Sequence, residues 1–311
     1  MQLNVLISMF WLRGVFVFVW MPSFFNRMIN YCVGCLVAMG RSAVEDTFIF
    51  FGRDEDIARV KPFFADFKLT SDISMATKGV VVGGDGCILG DSVKYPILER
   101  QLPVIKVHFR SNSYKSLGYT IDVNLGNIKE AVSDLKAGLY VTTRNRLLEL
   151  YADGKTYYAL NDVAITSQLS RSILMKTYLE SHKYKDQTLI PTPKCTGVMV
   201  SSSYGSTAWN LAVDGGITLE DDIDVMLLSF RESPLKPSHF VLSSRVSLNL
   251  ESKVPIVAII DGKFHPIEDY EKKVTIQLSK KSIPMIRTKN TYETITSKLE
   301  RLTAFQFEQV K

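Results

Sequence analysis

The chain is 311 residues long, enough for two ordinary domains and a large core without disulfides. Its 46% hydrophobic and 22% charged residues exclude a disordered or collagen-like chain. Lys+Arg 37 against Asp+Glu 32 gives a net charge of +5 with no basic run, so nucleic acid is not expected as the partner.

Residues 1–44 stand apart, with three arginines (Arg13, Arg27, Arg41), no lysine and no acid. Large apolar side chains such as Phe16, Phe18 and Trp20 crowd the segment. Three readings compete. A membrane span would carry Arg13 near its middle, at a cost of roughly 2.5–3.5 kcal/mol. An organellar presequence fits the lack of acids but not the scarcity of Ser. Alternatively, the true start is Met28 or Met39. In each case the expected fold begins near residue 45, in the cytoplasm, or in the mitochondrion if the leader is a targeting segment. Membrane contact is expected only if the leader is a real anchor.

From Thr47 the texture becomes domain-like. Thr47–Phe51 reads as a buried strand, Ile57–Phe67 as helical, and Gly79–Val82 as a β-branched strand running into Gly83-Gly84-Asp85-Gly86. Pro103–Val107 is a third strand, and Ile128–Leu139 has helical spacing at Ile128, Val132 and Leu135. Strands alternating with helices predict a parallel α/β domain over 45–140. Beyond it, Leu147–Tyr151 and Thr156–Leu160 flank Asp153-Gly154, a hairpin signal. Strand-like runs at Val163–Thr166, Val198–Ser201, Phe240–Ser243, Val254–Ile260 and Val274–Leu278, with Asp261-Gly262 as a turn, predict a mostly antiparallel β domain over 141–285. The tail, 286–311, returns to helical spacing at Tyr292, Ile295, Leu299 and Leu302.

Four cysteines make no disulfide framework. Cys32 and Cys35 form one C-x-x-C, Cys87 and Cys195 stand alone, and the four histidines are scattered, so no metal-ligand set is predicted. The chain reads as reduced and intracellular. His182 with Lys183–Lys185 reads as a solvated loop, and Tyr157-Tyr158 as cross-strand packing.

Three clusters carry chemistry. Gly83–Gly86 follows a buried strand, where glycines let backbone N–H groups approach phosphate oxygens and an Asp can take a hydroxyl proton. Neither G-K-[ST] nor G-x-G-x-x-G is present, so this is a different phosphate cradle. Gly205-Ser206-Thr207-Ala208-Trp209-Asn210, after Ser201–Ser203 and before Asp214-Gly215-Gly216, reads either as a capped helix start or as a polar ligand site with an aromatic platform. Asn161-Asp162 reads as an Asx turn or as a ribose-hydroxyl binder.

Together and in this order, Gly83–Gly86, Asn161-Asp162 and Gly205–Trp209 resemble the NAD kinase family, as does the closing Met285–Leu302. The resemblance covers about 47–305. Trp209, Ser170-Arg171 and Phe230-Arg231-Glu232 bring it nearer the mitochondrial and plant NADH-kinase-like branch. It implies a Rossmann-like N-terminal α/β domain, a β-sandwich, a C-terminal helix packing back, and subunits paired as a homodimer or homotetramer. The implied reaction transfers the ATP γ-phosphate, with Mg²⁺, to the adenosine-ribose 2′-hydroxyl of NAD or NADH. Asp85 matches the family's proton acceptor, with Gly84 and Gly86 beside it. Asn161 and Asp162 match its binders of dinucleotide hydroxyls, and Thr207, Ala208, Trp209 and Ala212 its dinucleotide lining.

Departures from the family pattern are Cys87, Lys106, the basic loop His108–Gly118, Thr196, Tyr204 and Lys263. They bear on substrate preference and donor contacts. Two other readings compete: a lipid or diacylglycerol-type kinase sharing the G-G-D-G loop, and a dinucleotide sensor without turnover.

Overall fold

The computed structural model describes residues 7–12, 15–20, 46–108, 122–168, 172–190, 194–220, 223–234, 237–269 and 273–300. The Cys32–Cys35 pair, most of the leader, residues 109–121 of the basic loop, Ser170-Arg171 and the chain beyond 300 lie outside them. Within the leader, β1 (Ile7–Leu12) and β2 (Val15–Trp20) pair antiparallel, with Leu12 opposite Val15. Among the described residues no helix is long and apolar enough to cross a membrane.

The first domain is built on a parallel sheet of β3 (Thr47–Phe51), β4 (Lys68–Leu69), β5 (Lys78–Gly83), β6 (Val104–His108) and β7 (Val123–Asn124). Both faces of β5 and β6 are covered, which is why these strands read as unbroken apolar runs. On one face Val60, Phe64, Ile128, Ala131 and Leu135, from helices, pack against Phe48, Val80 and Val107. Phe48 makes edge contacts with Phe64 and Phe67 at centroid distances of 5.3 and 4.8 Å. The predicted helix Ile57–Phe67 is shorter. Residues Asp54–Val60 are α-helical and Lys61–Phe64 form a 3₁₀ turn, because Pro62 lacks the N–H that an α-helix would use.

The second domain contains β8 (Tyr140–Ala152), β9 (Lys155–Ala159), β10 (Asp162–Ser167), β11 (Ile173–Ser181), β12 (Gln187–Ile190), β13 (Lys194–Cys195) and β14 (Gly197–Ser202). It continues through β15 (Val225–Arg231), β16 (His239–Ser243), β17 (Val246–Ser252), β18 (Ile256–Ile260), β19 (Lys263–Ile267) and β20 (Val274–Thr288). Six of these form an antiparallel sheet in the order β16-β15-β14-β10-β18-β19. The others belong to a twelve-stranded sheet that also contains the parallel strands of the first domain. The two sheets bury Leu148, Met175, Leu250 and Ile276 against Val163, Ile165, Val200, Leu228 and Ala258, forming a sandwich core.

The long strand β20 joins the domains. It runs antiparallel to β8 throughout, shifts register between Leu278 and Ser282, and meets β6 in parallel at Met285. A third core lies where the domains touch. Val81, Ile88, Ile97 and Val104 from the first pack with Leu147, Leu160, Tyr204, Ile283 and Met285 from the second.

Both predicted Asp-Gly turns form. Asp153 and Gly154 have φ of +52° and +72°, and Asp261 and Gly262 have +48° and +81°, the left-handed pair that two-residue hairpins favour.

Candidate functional site

The glycine turn lies at the carboxyl edge of β5. Gly83 has φ +146°, and across the sheet edge Gly52 has φ +149° with its would-be Cβ 2.4 Å from the Val82 carbonyl oxygen. Side chains are excluded at both positions, so the chain can turn sharply out of the sheet. Gly84 is extended, and Asp85–Leu89 form a 3₁₀ turn closed by Cys87 N–H donating to Gly84 O at 3.1 Å. A Cβ on Gly84 or Gly86 would meet nothing within 4 Å, so the turn faces open space. Behind it Cys87 is half-buried. Burial pushes its thiol up and the nearby Lys106 charge pulls the other way.

Asn161 and Asp162 form the corner between β9 and β10, and nearly every backbone group there is taken. The Asp261 carboxylate accepts from the N–H of Leu160 (2.9 Å), Asn161 (2.8 Å) and Asp162 (3.4 Å). Leu160 O accepts from Ser202 Oγ at 2.5 Å, and Asn161 O from Ser202 N at 2.9 Å and Ser201 Oγ at 3.1 Å. Asp162 O accepts from Asp261 N at 3.0 Å. Asn161 Oδ1, in contrast, is buried without a hydrogen-bond partner among the described residues. The Asp162 carboxyl is deeply buried, and that burial, followed by the Asp261 charge, pushes its pKa up to about 7.

That shift has a signed consequence for stability. The folded value lies above the ordinary 3.8, so folding favours the protonated carboxyl. Its contribution is complete below about pH 4 and lost by about pH 7. The ligand-free protein is therefore expected to lose stability as pH rises through that window. Asp162→Asn is expected to flatten this part of the profile. Urea unfolding at several pH values checks it, and a profile shared by the two proteins overturns it.

The third cluster is pressed onto the corner. A Cβ on Gly205 would lie 2.1 Å from Asn161 O, and Gly205 N–H donates to Ser202 Oγ at 3.1 Å. Thr207 is buried, Ala208 and Trp209 are half-buried, and Ala212 is exposed. Trp209 and Val213 cover Ala164, Met199 and Ile259 on the outer face of the six-stranded sheet, with the Arg231 guanidinium 4.7 Å from the indole ring. Asn210 ties the loop down by donating to Gly216 O at 2.6 Å and accepting from Ser229 Oγ at 3.2 Å. Ser206 Oγ and Thr218 Oγ1 lie 3.1 Å apart, and Lys298 in the helical segment 295–300 donates to Thr218 O and Leu219 O.

The second and third clusters thus touch directly. The glycine turn joins them through the interdomain core, where Ile88 from the turn packs in one cluster with Leu160 and Tyr204. Sequence reasoning missed Lys94 and the carboxylate role of Asp261. Lys94 Nζ donates to Asp261 Oδ2 at 2.9 Å and to Tyr158 O at 2.7 Å. The signal for Lys94 was present, since it lies on the helical face of Ile97 and Leu98, both buried.

No protein-family profile matches the chain. Among individual proteins it is 28% identical over 271 residues to an NAD kinase of Clostridium botulinum (strain Kyoto / Type A2), covering 81% of this chain and 88% of that one. It is 26% identical over 247 residues to an NAD kinase of Fusobacterium nucleatum, covering 76% and 86%. Two solved structures share the fold. An NAD kinase from Archaeoglobus fulgidus in complex with ATP gives a TM-score of 0.63 at 16% identity, over 82% of this chain and 99% of that one. A yeast NADH kinase complexed with NADH gives 0.62 at 12% identity, over 96% and 92%. Over 76–81% of its length, more than either domain alone supplies, the chain is similar to NAD kinases.

Proposed function

We propose that the chain is an NAD(H) kinase that moves the γ-phosphate of ATP to the adenosine-ribose 2′-hydroxyl of NAD or NADH. The observation that carries this reading is the Asn161–Asp162 corner. Its backbone is consumed internally, leaving Asn161 Oδ1 buried without a partner among the described residues, beside the buried Asp162 carboxyl. Unused acceptors of this kind are costly unless a ligand satisfies them, and a ribose carries the matching hydroxyl donors.

In the proposed reaction the 2′-oxygen bonds to the γ-phosphorus as the bond to the β–γ bridging oxygen breaks. ADP leaves, and the hydroxyl proton passes to Asp85. The backbone of Gly84 and Gly86 lies beside the phosphates, and Thr207, Ala208, Trp209 and Ala212 line the dinucleotide. Among the described residues no three His, Cys, Asp or Glu side chains converge as a metal site. Mg²⁺ carried by ATP would neutralise phosphate charge during the transfer. NADP formation by the full chain, with ATP and Mg²⁺ and with NAD and NADH in parallel, tests the reading. A folded protein that binds dinucleotide without turnover overturns it in favour of a sensor.

Subunit pairing belongs to the same proposal. Val241 and Phe264, both 71% exposed, lie on opposite edge strands of the six-stranded sheet, opposite Leu227 and Ile259 on its outer face. Exposed apolar side chains at these two edges suit contacts with a second copy of the chain. Val241→Glu with Phe264→Glu is expected to lower the mass measured by light scattering, and an unchanged mass overturns the assignment. Mitochondrial residence follows if residues 1–44 are a targeting segment, and cytoplasmic residence otherwise.

A further inference from the structure

The glycine turn and the Asn161–Asp162 corner sit on different domains, so their relative placement needs a physical link. The structure holds one in two charge pairs. The helix Asp91–Arg100, which follows the glycine turn, presents Asp91 and Lys94 to the hairpin turn Asp261-Gly262-Lys263 of the second domain. Lys94 and Asp261 form the inner pair at 2.9 Å, with side chains only 3% and 1% exposed. Asp91 and Lys263 form the outer pair at 2.7 Å, with both side chains about half exposed. Lys94 also reaches Asp91 at 3.8 Å, so the four charges alternate across the junction.

The inner pair does more than join two surfaces. Asp261 Oδ2 accepts from Lys94 and Leu160 N–H, while Oδ1 of the same carboxylate accepts from the N–H groups of Asn161 and Asp162. Lys94 is anchored in addition by Tyr158 O at 2.7 Å, near the end of β9 and three residues before Asn161. A shift of Asp261 would therefore carry the whole corner with it. The outer pair also accounts for Lys263, a departure from the family pattern that the reaction itself does not use.

We propose that Lys94 and Asp261 are positioning residues for the dinucleotide, a latch that sets the Asn161–Asp162 corner against the glycine turn, with Asp91 and Lys263 as its outer reinforcement. This rests on the NAD(H) kinase reading for the identity of the ligand. Neither residue is assigned contact with substrate. The latch acts on where the corner stands, so it should govern dinucleotide affinity more than ATP affinity. Removing one member of a buried pair leaves the other charge uncompensated, whereas the outer pair is screened by water and salt.

The test uses the full-length chain with Lys94→Met, Lys94→Arg, Asp261→Asn and Lys263→Gln. Dinucleotide affinity is read by titration calorimetry, KM for NAD(H) and for ATP by turnover, and folding by thermal melting. Lys94→Met and Asp261→Asn are expected to weaken NAD(H) binding and raise its KM by about ten-fold or more, with the ATP KM changed by less than about three-fold. Lys94→Arg is expected to recover most of the affinity. Lys263→Gln is expected to cost about two-fold, and less at high salt.

A second signature separates positioning from bulk stability. Asp261, itself faced by Lys94, is the charge that raises the Asp162 carboxyl after burial. In Asp261→Asn the pH dependence of dinucleotide binding should therefore move toward acid. Lower melting temperatures with unchanged NAD(H) affinity and an unmoved pH profile would overturn the latch. If Lys94→Met does not fold, Asp261→Asn carries the comparison, and unchanged NAD(H) affinity in that variant overturns the latch. Calorimetry needs no turnover, so wild-type protein that binds NAD(H) without making NADP(H) refutes the kinase reading and still tests the latch. Wild-type protein that binds no dinucleotide overturns both.

Discussion

Asp85→Asn is expected to cut NADP(H) formation by at least about 100-fold while leaving the melting temperature close to that of the wild type. The ribose hydroxyl is a weak nucleophile, and an amide in place of the carboxylate cannot take its proton. Removal of a positioned general base typically costs between about 10² and 10⁴ in rate. The fold should tolerate the change, because what shapes the turn is backbone. Gly83 at φ +146° starts the departure from the sheet, and the Cys87 N–H to Gly84 O bond closes the 3₁₀ turn that Asp85 opens. Asparagine can occupy that first position as aspartate does. The measurement is initial NADP(H) formation with saturating ATP and Mg²⁺, beside a thermal melt of both proteins. Turnover within a few-fold of wild type would remove Asp85 from the reaction, even if the kinase activity itself stood.

Much of this arrangement is legible in the chain, and the parts that are not have physical causes. The run Gly79–Val82 announces β5 because a strand covered on both faces must be apolar throughout. Asp153-Gly154 and Asp261-Gly262 announce turns because both need left-handed backbone. Ten of the described strands escape such reading: β1, β2, β4, β7, β11, β12, β13, β15, β17 and β19. β11 buries Ile173 and Met175 but leaves Leu174 59% exposed, which blurs its alternation, and β19 is an edge strand carrying Pro266 with Phe264 facing out. The continuous sheet through both domains is illegible because it depends on β20 pairing with β6 and β8, contacts far apart in sequence. In the described part of the tail, Tyr292, Ile295 and Leu299 are each over 40% exposed, and Lys298 donates to the carbonyls of Thr218 and Leu219, contacts that the apolar spacing does not announce. At the site the three motif clusters could be named only through the resemblance to a family, since each alone reads equally as a turn or a cap. Their hidden support, Lys94 and the Asp261 carboxylate, depends on a junction between domains that no local pattern records.

Gly205→Ala is expected to be the most disruptive single-atom change near the site. The added Cβ would lie 2.1 Å from Asn161 O and 2.5 Å from both its carbonyl carbon and its Cα. All three are backbone atoms, so no side chain can swing away. Asn161 O is also already bonded to Ser202 N and Ser201 Oγ, and moving it strains or breaks both bonds. Overpacking of this kind costs about 1–3 kcal/mol, and each weakened bond adds about 0.5–1.5 kcal/mol. A loss of about 3 kcal/mol in a chain of this size should lower the melting temperature by roughly 6–12 °C. Weaker NAD(H) binding should accompany it, because Asn161 and Asp162 ride on the displaced segment. The matched control is Gly216→Ala, whose Cβ would meet nothing within 4 Å, and which should stay within about 0.5 kcal/mol of wild type. Scanning calorimetry and dinucleotide titration of the two variants decide the matter. If Gly205→Ala behaves like Gly216→Ala, the contact between the loop and the corner is slack, and the two motifs are not held at a fixed spacing. If they diverge as expected, the missing side chain at Gly205 sets that spacing, and the glycine is required for close approach to Asn161 rather than for its own backbone angles.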